Sequence, residues 1–301
     1  MTGVTGPESI EETLELMADQ NYVCDRPLAT TVFLSLAMQK PIFLEGEAGV
    51  GKTEVAKVLA QGLDRRLIRL QCYEGLDASS ALYEWNYPKQ LLRLRRLESG
   101  QTGEAPDIFT EEFLIRRPLL EAIRSEAEGD HVVLLIDELD RADDEFEAFL
   151  LEVLSDFTVS IPEIGTLKAN STPVVVLTSN RTREIHDALK RRCLYHWIDY
   201  PSVEKEFEIV RRKTPGVTER LAREICEFMA RIRRMDFLKN PGIAETLDWA
   251  KALLILGQDS LDLETVIETL GCIFKYEEDQ RRFRLEQSDI IKFGCGPVSE
   301  P

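Results

Sequence analysis

Apolar residues along the chain follow two kinds of pattern, and the change from one to the other falls near Tyr200-Pro201. Before that point, helical stripes alternate with short continuous apolar runs. Ser9 to Ala18 reads as a helix: Ser9 can cap it, Glu11 and Glu12 sit in its first turn, and Ile10, Leu14 and Met17 share a face. A second apolar helix spans about Pro27 to Met38. Pro41-Ile42-Phe43-Leu44 is a short strand that runs directly into a glycine-rich turn. A helix over about Lys52 to Gly62 follows, then strands at Leu67 to Leu70, Val132 to Ile136, Pro173 to Thr178 and Leu194 to Ile198. Strands without apolar/polar alternation are buried on both faces, which predicts a parallel sheet with helices on each side. The expected fold class is therefore α/β, with a core of about 200 residues.

After Pro201 strand signals stop and helical periodicity takes over. Leu221, Ile225, Phe228 and Ile232 form one stripe; Ile243, Leu247, Ala250 and Leu254 a second; Leu263, Ile267, Leu270 and Phe274 a third, with Asp262 as its N-cap. This predicts a small all-helical second domain. The expected division is 1–201 for the core, 202–280 for the helical domain and 281–301 for a polar, less ordered tail. No internal repeat or low-complexity tract is visible.

Charge narrows the partners. Of 301 residues, 54 are acidic and 37 basic, a net charge of −17. That argues against duplex nucleic acid, because neutralising phosphates needs a broad basic surface. No apolar run approaches the 18 residues of a membrane span, and the acidic first 30 residues do not read as a secretory signal, so a cytoplasmic protein is expected. Cys24, Cys72, Cys193, Cys226, Cys272 and Cys295 form no CxxC pair, and His131, His186 and His196 form no HxxxH pair. Reduced thiols and no structural zinc are expected.

The glycine-rich turn carries the first chemistry. Gly46-Glu47-Ala48-Gly49-Val50-Gly51-Lys52-Thr53 fits GxxxxGK[ST], placed after a strand and opening a helix that continues with Glu54. Glycines let the backbone curl its N–H groups toward an anion, and the following helix adds its positive end. Lys52 can reach β- and γ-phosphates, and Thr53 can offer its hydroxyl to Mg²⁺. The loop alone does not separate ATPase, GTPase, kinase and motor.

The second chemistry is an apolar strand ending in Asp137-Glu138. Two carboxylates at a strand's C-terminal tip lie where such sheets bind ligands. Asp137 would hold Mg²⁺ through water, and Glu138 would polarise a water for attack on the γ-phosphate. A kinase, whose nucleophile is a substrate hydroxyl, does not need the second carboxylate. Asp140 and Arg141 read instead as a solvated charged turn. The next strand ends in Asn180, whose amide can orient the attacking water, and a helix follows that ends Leu189-Lys190-Arg191-Arg192-Cys193.

Loop, Asp-Glu, Asn and terminal Arg in this order resemble the AAA+ ATPases, which assemble rings with ATP at subunit interfaces. Within that group the chain is similar to the MoxR family. Ile136-Asp137-Glu138-Leu139-Asp140-Arg141-Ala142 leads into an amphipathic helix of Phe146, Phe149, Leu150 and Val153. Phe157 to Ala169 reads as a hairpin around Pro162-Glu163-Ile164-Gly165. Asn180 to Cys193 and then Tyr200-Pro201 look most like the branch associated with carbon monoxide dehydrogenase maturation.

The resemblance implies ATP and Mg²⁺ as cofactors. It implies Lys52 and Thr53 as phosphate and metal ligands, Asp137 and Glu138 as metal and water carboxylates, and Asn180 as γ-phosphate sensor. Arg191 or Arg192 would be the finger reaching a neighbour's ATP, with spacing to Tyr200-Pro201 favouring Arg191. It implies self-association into a ring, expected to be a hexamer, a protein client such as a metalloenzyme, and a von Willebrand-type adaptor. No nucleic acid or membrane partner is expected. One departure stands out: many relatives carry a nucleotide-touching arginine early in a lid helix, whereas Pro241 to Thr246 has none, leaving Arg231, Arg233 or Arg234 as substitutes.

An insert over about 75–100 interleaves Tyr83, Trp85 and Tyr87 with Lys89, Arg93, Arg95 and Arg96. It reads as a client contact at a ring opening, as a single-strand nucleic-acid contact, or as an amphipathic segment packing Leu91, Leu92 and Leu94. The combined reading is an ATP-hydrolysing MoxR-type machine that remodels or matures a protein. A nucleotide-gated scaffold with negligible turnover and a P-loop kinase stand as alternatives.

Overall fold

The computed structural model describes residues 6–98 and 107–292. The chain divides into two compact units. The first comprises Met1–Gln20, Cys24–Gly46 and Lys52–Trp197; the second comprises Asn21–Val23, Glu47–Gly51 and Ile198–Pro301. Among the described residues no helix is long and apolar enough to cross a membrane.

In chain order the first elements are α1 (Ile10–Asp19), α2 (Arg26–Met38), β1 (Ile42–Gly46), α3 (Lys52–Gly62) and β2 (Arg66–Gln71). Ser9 Oγ caps α1 by accepting from Glu12 N, and Asp25 caps α2 by accepting from Leu28 N. The insert contributes α4 (Ala78–Leu82), β3 (Tyr83–Trp85) and α5 (Tyr87–Glu98); β4 (Leu114–Arg116) follows it and pairs antiparallel with β3. Then come α6 (Pro118–Glu128), β5 (Val132–Asp137), α7 (Asp144–Asp156), β6 (Thr158–Ile161), β7 (Gly165–Lys168), β8 (Val174–Ser179), α8 (Asp187–Lys190) and β9 (Leu194–Ile198).

Five strands form one parallel sheet in the order β2-β5-β8-β1-β9. β1, β5 and β8 are buried along their whole length, as their unbroken apolar runs require. The register sets Gln71 beside Asp137, and Leu44 beside Thr178. The C-terminal tips of β2, β5, β8 and β1 thus end together. β6 and β7 make the two-stranded hairpin around Pro162 to Gly165.

The insert corrects one expectation. Leu91, Leu92 and Leu94 do not pack inward: all three are exposed, while Trp85 and Phe113 supply the buried surface. The aromatic contact runs from Tyr83 through Trp85 to Phe109.

The second unit is all helical after β9: α9 (Val203–Lys213), α10 (Glu219–Ile232), α11 (Ile243–Ile255), α12 (Leu263–Glu268), α13 (Leu270–Ile273) and α14 (Glu277–Lys292). Its core gathers Phe228, Trp249, Phe274 and Phe283. Three expectations change here. α11 buries Thr246, Trp249, Ala250 and Leu253; of the expected stripe, Ala250 is buried and Leu247 packs half-buried on the core, whereas Ile243 is only half-buried and Leu254 is exposed. The third stripe is broken at Thr269 into two short helices. The segment read as a loose tail from 281 is helical to Lys292, with Phe283 fully buried. Cys295 lies outside the described residues; the other five cysteines are in no disulfide.

Candidate nucleotide site

The phosphate loop joins β1 to α3. Gly49 and Gly51 hold positive φ of 78° and 96°, the left-handed conformation that a side chain disfavours. A Cβ on Gly51 would meet nothing within 4 Å, so backbone conformation and not space requires glycine there. Lys52 is buried and its Nζ donates to Gly46 O at 2.8 Å. Glu54 opens α3 and pairs with Lys57 at 3.4 Å.

Residues Glu47–Gly51 group with the helical unit. Gly49 O accepts from Ile243 N at 2.9 Å and from Ala244 N at 3.4 Å, so the first amides of α11 hold a loop carbonyl. Gly242 N in turn donates to Glu245 Oε2 at 2.9 Å. A Cβ on Gly242 would lie 2.8 Å from the Gly49 backbone, too close to exist. The helical unit thus meets the loop through main chain. Arg233, one substitute for the absent lid arginine, is committed elsewhere. Its Nη1 and Nη2 donate to Glu206 at 2.6 and 2.7 Å, its Nε to Pro241 O at 2.8 Å, and its guanidinium covers the Tyr200 ring. This buried pair has its hydrogen bonds satisfied, the condition under which such pairs persist. Arg231 is exposed only in part and lies 3.9 Å from Glu227.

Asp137 ends β5 and is buried. Its Oδ1 accepts from Thr53 Oγ1 at 3.0 Å and from Thr178 Oγ1 at 2.6 Å. Its Oδ2 accepts from Arg69 Nε and Nη2 at 3.0 and 2.5 Å. Glu138 follows in the left-handed region, φ 55°, a strained position for a non-glycine residue that turns its side chain out of the strand direction. Its N donates to Thr178 Oγ1 at 2.9 Å, its Oε2 accepts from Gln71 Nε2 at 3.0 Å, and the same oxygen forms an ion pair with Arg141 Nε at 2.9 Å. Asp137 and Glu138 therefore share Thr178 on one side and the β2 pair Arg69 and Gln71 on the other.

These oxygens suit a hard cation. Thr53 gives its only proton to Asp137, so its lone pairs face outward, and hydroxyl plus carboxylate is a magnesium-type donor set. Among the described residues no three His, Cys, Asp or Glu side chains form a closed metal cage. A cation held here would complete its shell with phosphate and water, as Mg²⁺ commonly does.

The Asn180 side chain makes no hydrogen bond among the described residues, although its backbone N donates to Asp140. The two arginines after α8 differ. The Arg192 side chain donates to Leu151 O, while the side chain of Arg191, an exposed residue, has no hydrogen-bond or ion-pair partner among the described residues. Lys190, one residue earlier, lies 3.9 Å from the buried Glu45 at the end of β1. Glu45 also accepts from Tyr195 OH at 2.9 Å, and burial first, then that bond, pushes the Tyr195 phenol up to about 12.

Four residues escaped the sequence reading: Arg69, Gln71, Asp140 and Thr178. Arg69 and Gln71 alternate on one face of β2, a polar pair on a strand that is otherwise partly buried, and that alternation is the available signal. Asp140, expected in a solvated turn, is buried, accepting from Asn180 N, Thr182 N and Thr182 Oγ1. Cys72, beside these carboxylates, is held protonated, its thiol pushed up to about 12 by burial and then by Asp137, Asp140 and Glu138.

Sheet order, loop and strand-tip carboxylates define the class: a P-loop α/β protein with the AAA+ architecture. The chain belongs to the AAA domain (dynein-related subfamily) family, whose model matches residues 41–193, just over half of it. An uncharacterised protein of Staphylococcus saprophyticus is 25% identical over 284 residues, covering 91% of this chain and 97% of its own. A second, of Staphylococcus haemolyticus, is 26% identical over 260 residues, covering 84% and 89%. Among solved structures, the RuvB Holliday junction branch migration motor of Thermotoga maritima aligns with 97% of this chain and 82% of its own, at 17% identity and a TM-score of 0.45.

Proposed function

We propose that this AAA-family protein binds ATP with Mg²⁺, hydrolyses it, and uses the cycle to remodel a protein partner in the manner of the MoxR branch. The observation that carries the chemistry is the pairing of Thr53 with Asp137 beside a separately held Glu138. Thr53 and Asp137 would hold Mg²⁺, which supplies charge neutralisation at the β- and γ-phosphates. Lys52 would bind those phosphates, and Glu138 would take the proton of the attacking water. The free amide of Asn180 suits a residue that orients that water. Arg191 is the better finger: a group acting on a neighbouring subunit has no need of a partner in its own, and Arg192 already has one. On this reading the chain forms a ring, 202–280 is a lid, and the client is a metalloenzyme served through a von Willebrand-type adaptor; client and adaptor rest on the MoxR resemblance alone.

The scaffold alternative draws on one contact, because Arg141 and Gln71 both occupy the Glu138 carboxylate. Two variants separate the readings. Lys52→Ala should lose ATP binding and turnover together. Glu138→Gln keeps shape but cannot act as base, so turnover should fall roughly 10²-fold or more with ATP still bound. Normal turnover in Glu138→Gln refutes the role of Glu138, and unchanged ATP affinity in Lys52→Ala refutes the loop as the site.

A further inference from the structure

Asp137 is only 2% exposed, and a carboxylate withdrawn that far from water needs compensation for its charge. Two of its partners, Thr53 and Thr178, are neutral hydroxyls on Oδ1. The compensating charge comes from Arg69 on Oδ2, through Nε at 3.0 Å and Nη2 at 2.5 Å. The two ends of this pair differ: the Arg69 side chain is 51% exposed. A long, half-solvated guanidinium can leave for water at small cost, whereas Asp137 cannot move without breaking β5. A divalent cation beside Thr53 Oγ1 draws on the same carboxylate. Guanidinium and cation would place positive charges within a few ångströms of each other, where their repulsion in a partly buried site is large.

We propose that Arg69 is an internal counter-ion that holds Asp137 until the nucleotide's divalent cation displaces it, so that the cation binds in competition with a guanidinium. The inference goes beyond the hydrolytic reading and rests on it for the presence of the cation. Arg69 is a positioning residue in this account. Its displacement also removes a second contact, because Arg69 Nη2 donates to Gln71 Oε1 while Gln71 Nε2 holds Glu138. Freed of Arg69, Gln71 can turn, and the hydrogen bond restraining Glu138 becomes breakable. Cation arrival at one carboxylate is thereby felt at the other.

The test is the coupling between Mg²⁺ and nucleotide, read without turnover. Fluorescent ADP is titrated into the full-length protein in chelator and over a Mg²⁺ series, for wild type, Arg69→Gln and Arg69→Lys. The ratio of affinities with and without Mg²⁺ should rise roughly five- to tenfold in Arg69→Gln, the scale of one charged hydrogen-bonded pair that is half exposed. The thermal shift produced by Mg·ADP should rise with it. Arg69→Lys keeps the charge but loses the fork that engages Oδ2 twice, so its ratio should rise less than that of Arg69→Gln. It also keeps the question answerable if Arg69→Gln does not fold. A ratio that is unchanged or lower in both variants overturns the counter-ion role and leaves Arg69 a support for Asp137. If wild type shows no Mg²⁺ dependence of ADP binding, the cation reading itself falls.

Discussion

Asp140 ties the turn after β5 to the loop after β8. It accepts from Asn180 N at 3.1 Å, Thr182 N at 3.0 Å and Thr182 Oγ1 at 2.6 Å. Burial opposes its charge, but the bonds from Thr182 and Asn180 outweigh burial and hold the carboxyl below its usual range. A depressed folded-state value means stability that is present above the unfolded pKa and lost as pH falls through the folded one. Asp140→Asn replaces an acceptor with a donor facing backbone N–H groups. It should destabilise the protein by about 1–3 kcal/mol at pH 7. Denaturant unfolding at several pH values should show that gap starting to close as pH falls past the ordinary Asp value of about 4 and closing further toward the lower value of the folded carboxyl. A gap that stays constant with pH would mean that the charge of Asp140 is irrelevant to the turn. Sequence placed this residue in solvent because an Asp next to an Arg after a strand is usually a turn. Its partners lie about 40 positions away and have no signature of their own.

At the scale of elements, Gly242 is where α11 meets the loop. A methyl group there would lie 2.8 Å from Gly49 Cα and 2.9 Å from Ala48 O. Gly242→Ala should weaken nucleotide binding measurably and cost about 1–3 kcal/mol of stability, the usual scale of overpacking. Gly271→Ala, where an added Cβ meets nothing within 4 Å, is the control. Equal nucleotide affinity in the two variants would show that the α11–loop contact is not needed for binding. The elements differ in how legible they were. β1, β5 and β8 were readable as apolar runs, because both faces are buried and no polar atom has to be accommodated. The buried face of α11 is only partly legible: it includes Ala250 and borders Leu247, but it also carries Thr246 and Trp249. The Thr246 hydroxyl donates to Glu206 at 2.6 Å, and Trp249 Nε1 donates to Thr269 at 2.8 Å. Partners on other helices make those polar atoms tolerable inside, and hydropathy along one helix cannot register them. α14 was missed for a related reason. Phe283 anchors an otherwise polar helix, and Asp279 is buried because it accepts from Leu238 N at 2.8 Å and Lys239 N at 3.3 Å. Of the candidate site, the parts contiguous in sequence can be named from the sequence: the loop, Asp137-Glu138 and Asn180. Arg69 and Gln71 cannot, because only the pairing of β2 with β5 brings them to Asp137.

For the whole molecule, the question is whether one chain suffices. The side chain of Arg191, an exposed residue, has no hydrogen-bond or ion-pair partner among the described residues, as a group acting in trans would. Loss of such a finger lowers turnover far more than binding. Arg191→Ala should therefore bind ATP and hydrolyse poorly, and mixing it with Lys52→Ala protein should restore part of the turnover by pairing an intact loop with an intact finger. Wild-type turnover per chain should rise with protein concentration as subunits assemble. Concentration-independent turnover in a demonstrated monomer, with no rescue on mixing, would return Arg191 to a surface residue. The carbonyl of Gly49 carries one more consequence. Two amides of α11 hold it, and no cis peptide is present among the described residues. In a trans peptide the carbonyl and the next N–H point in opposite directions, so the N–H of Val50 is turned away from α11. The orientation of that peptide plane is thus set when the helical unit folds, before any anion arrives. An anion bound on that side of the loop, as proposed above, would then meet no entropy cost for ordering that plane.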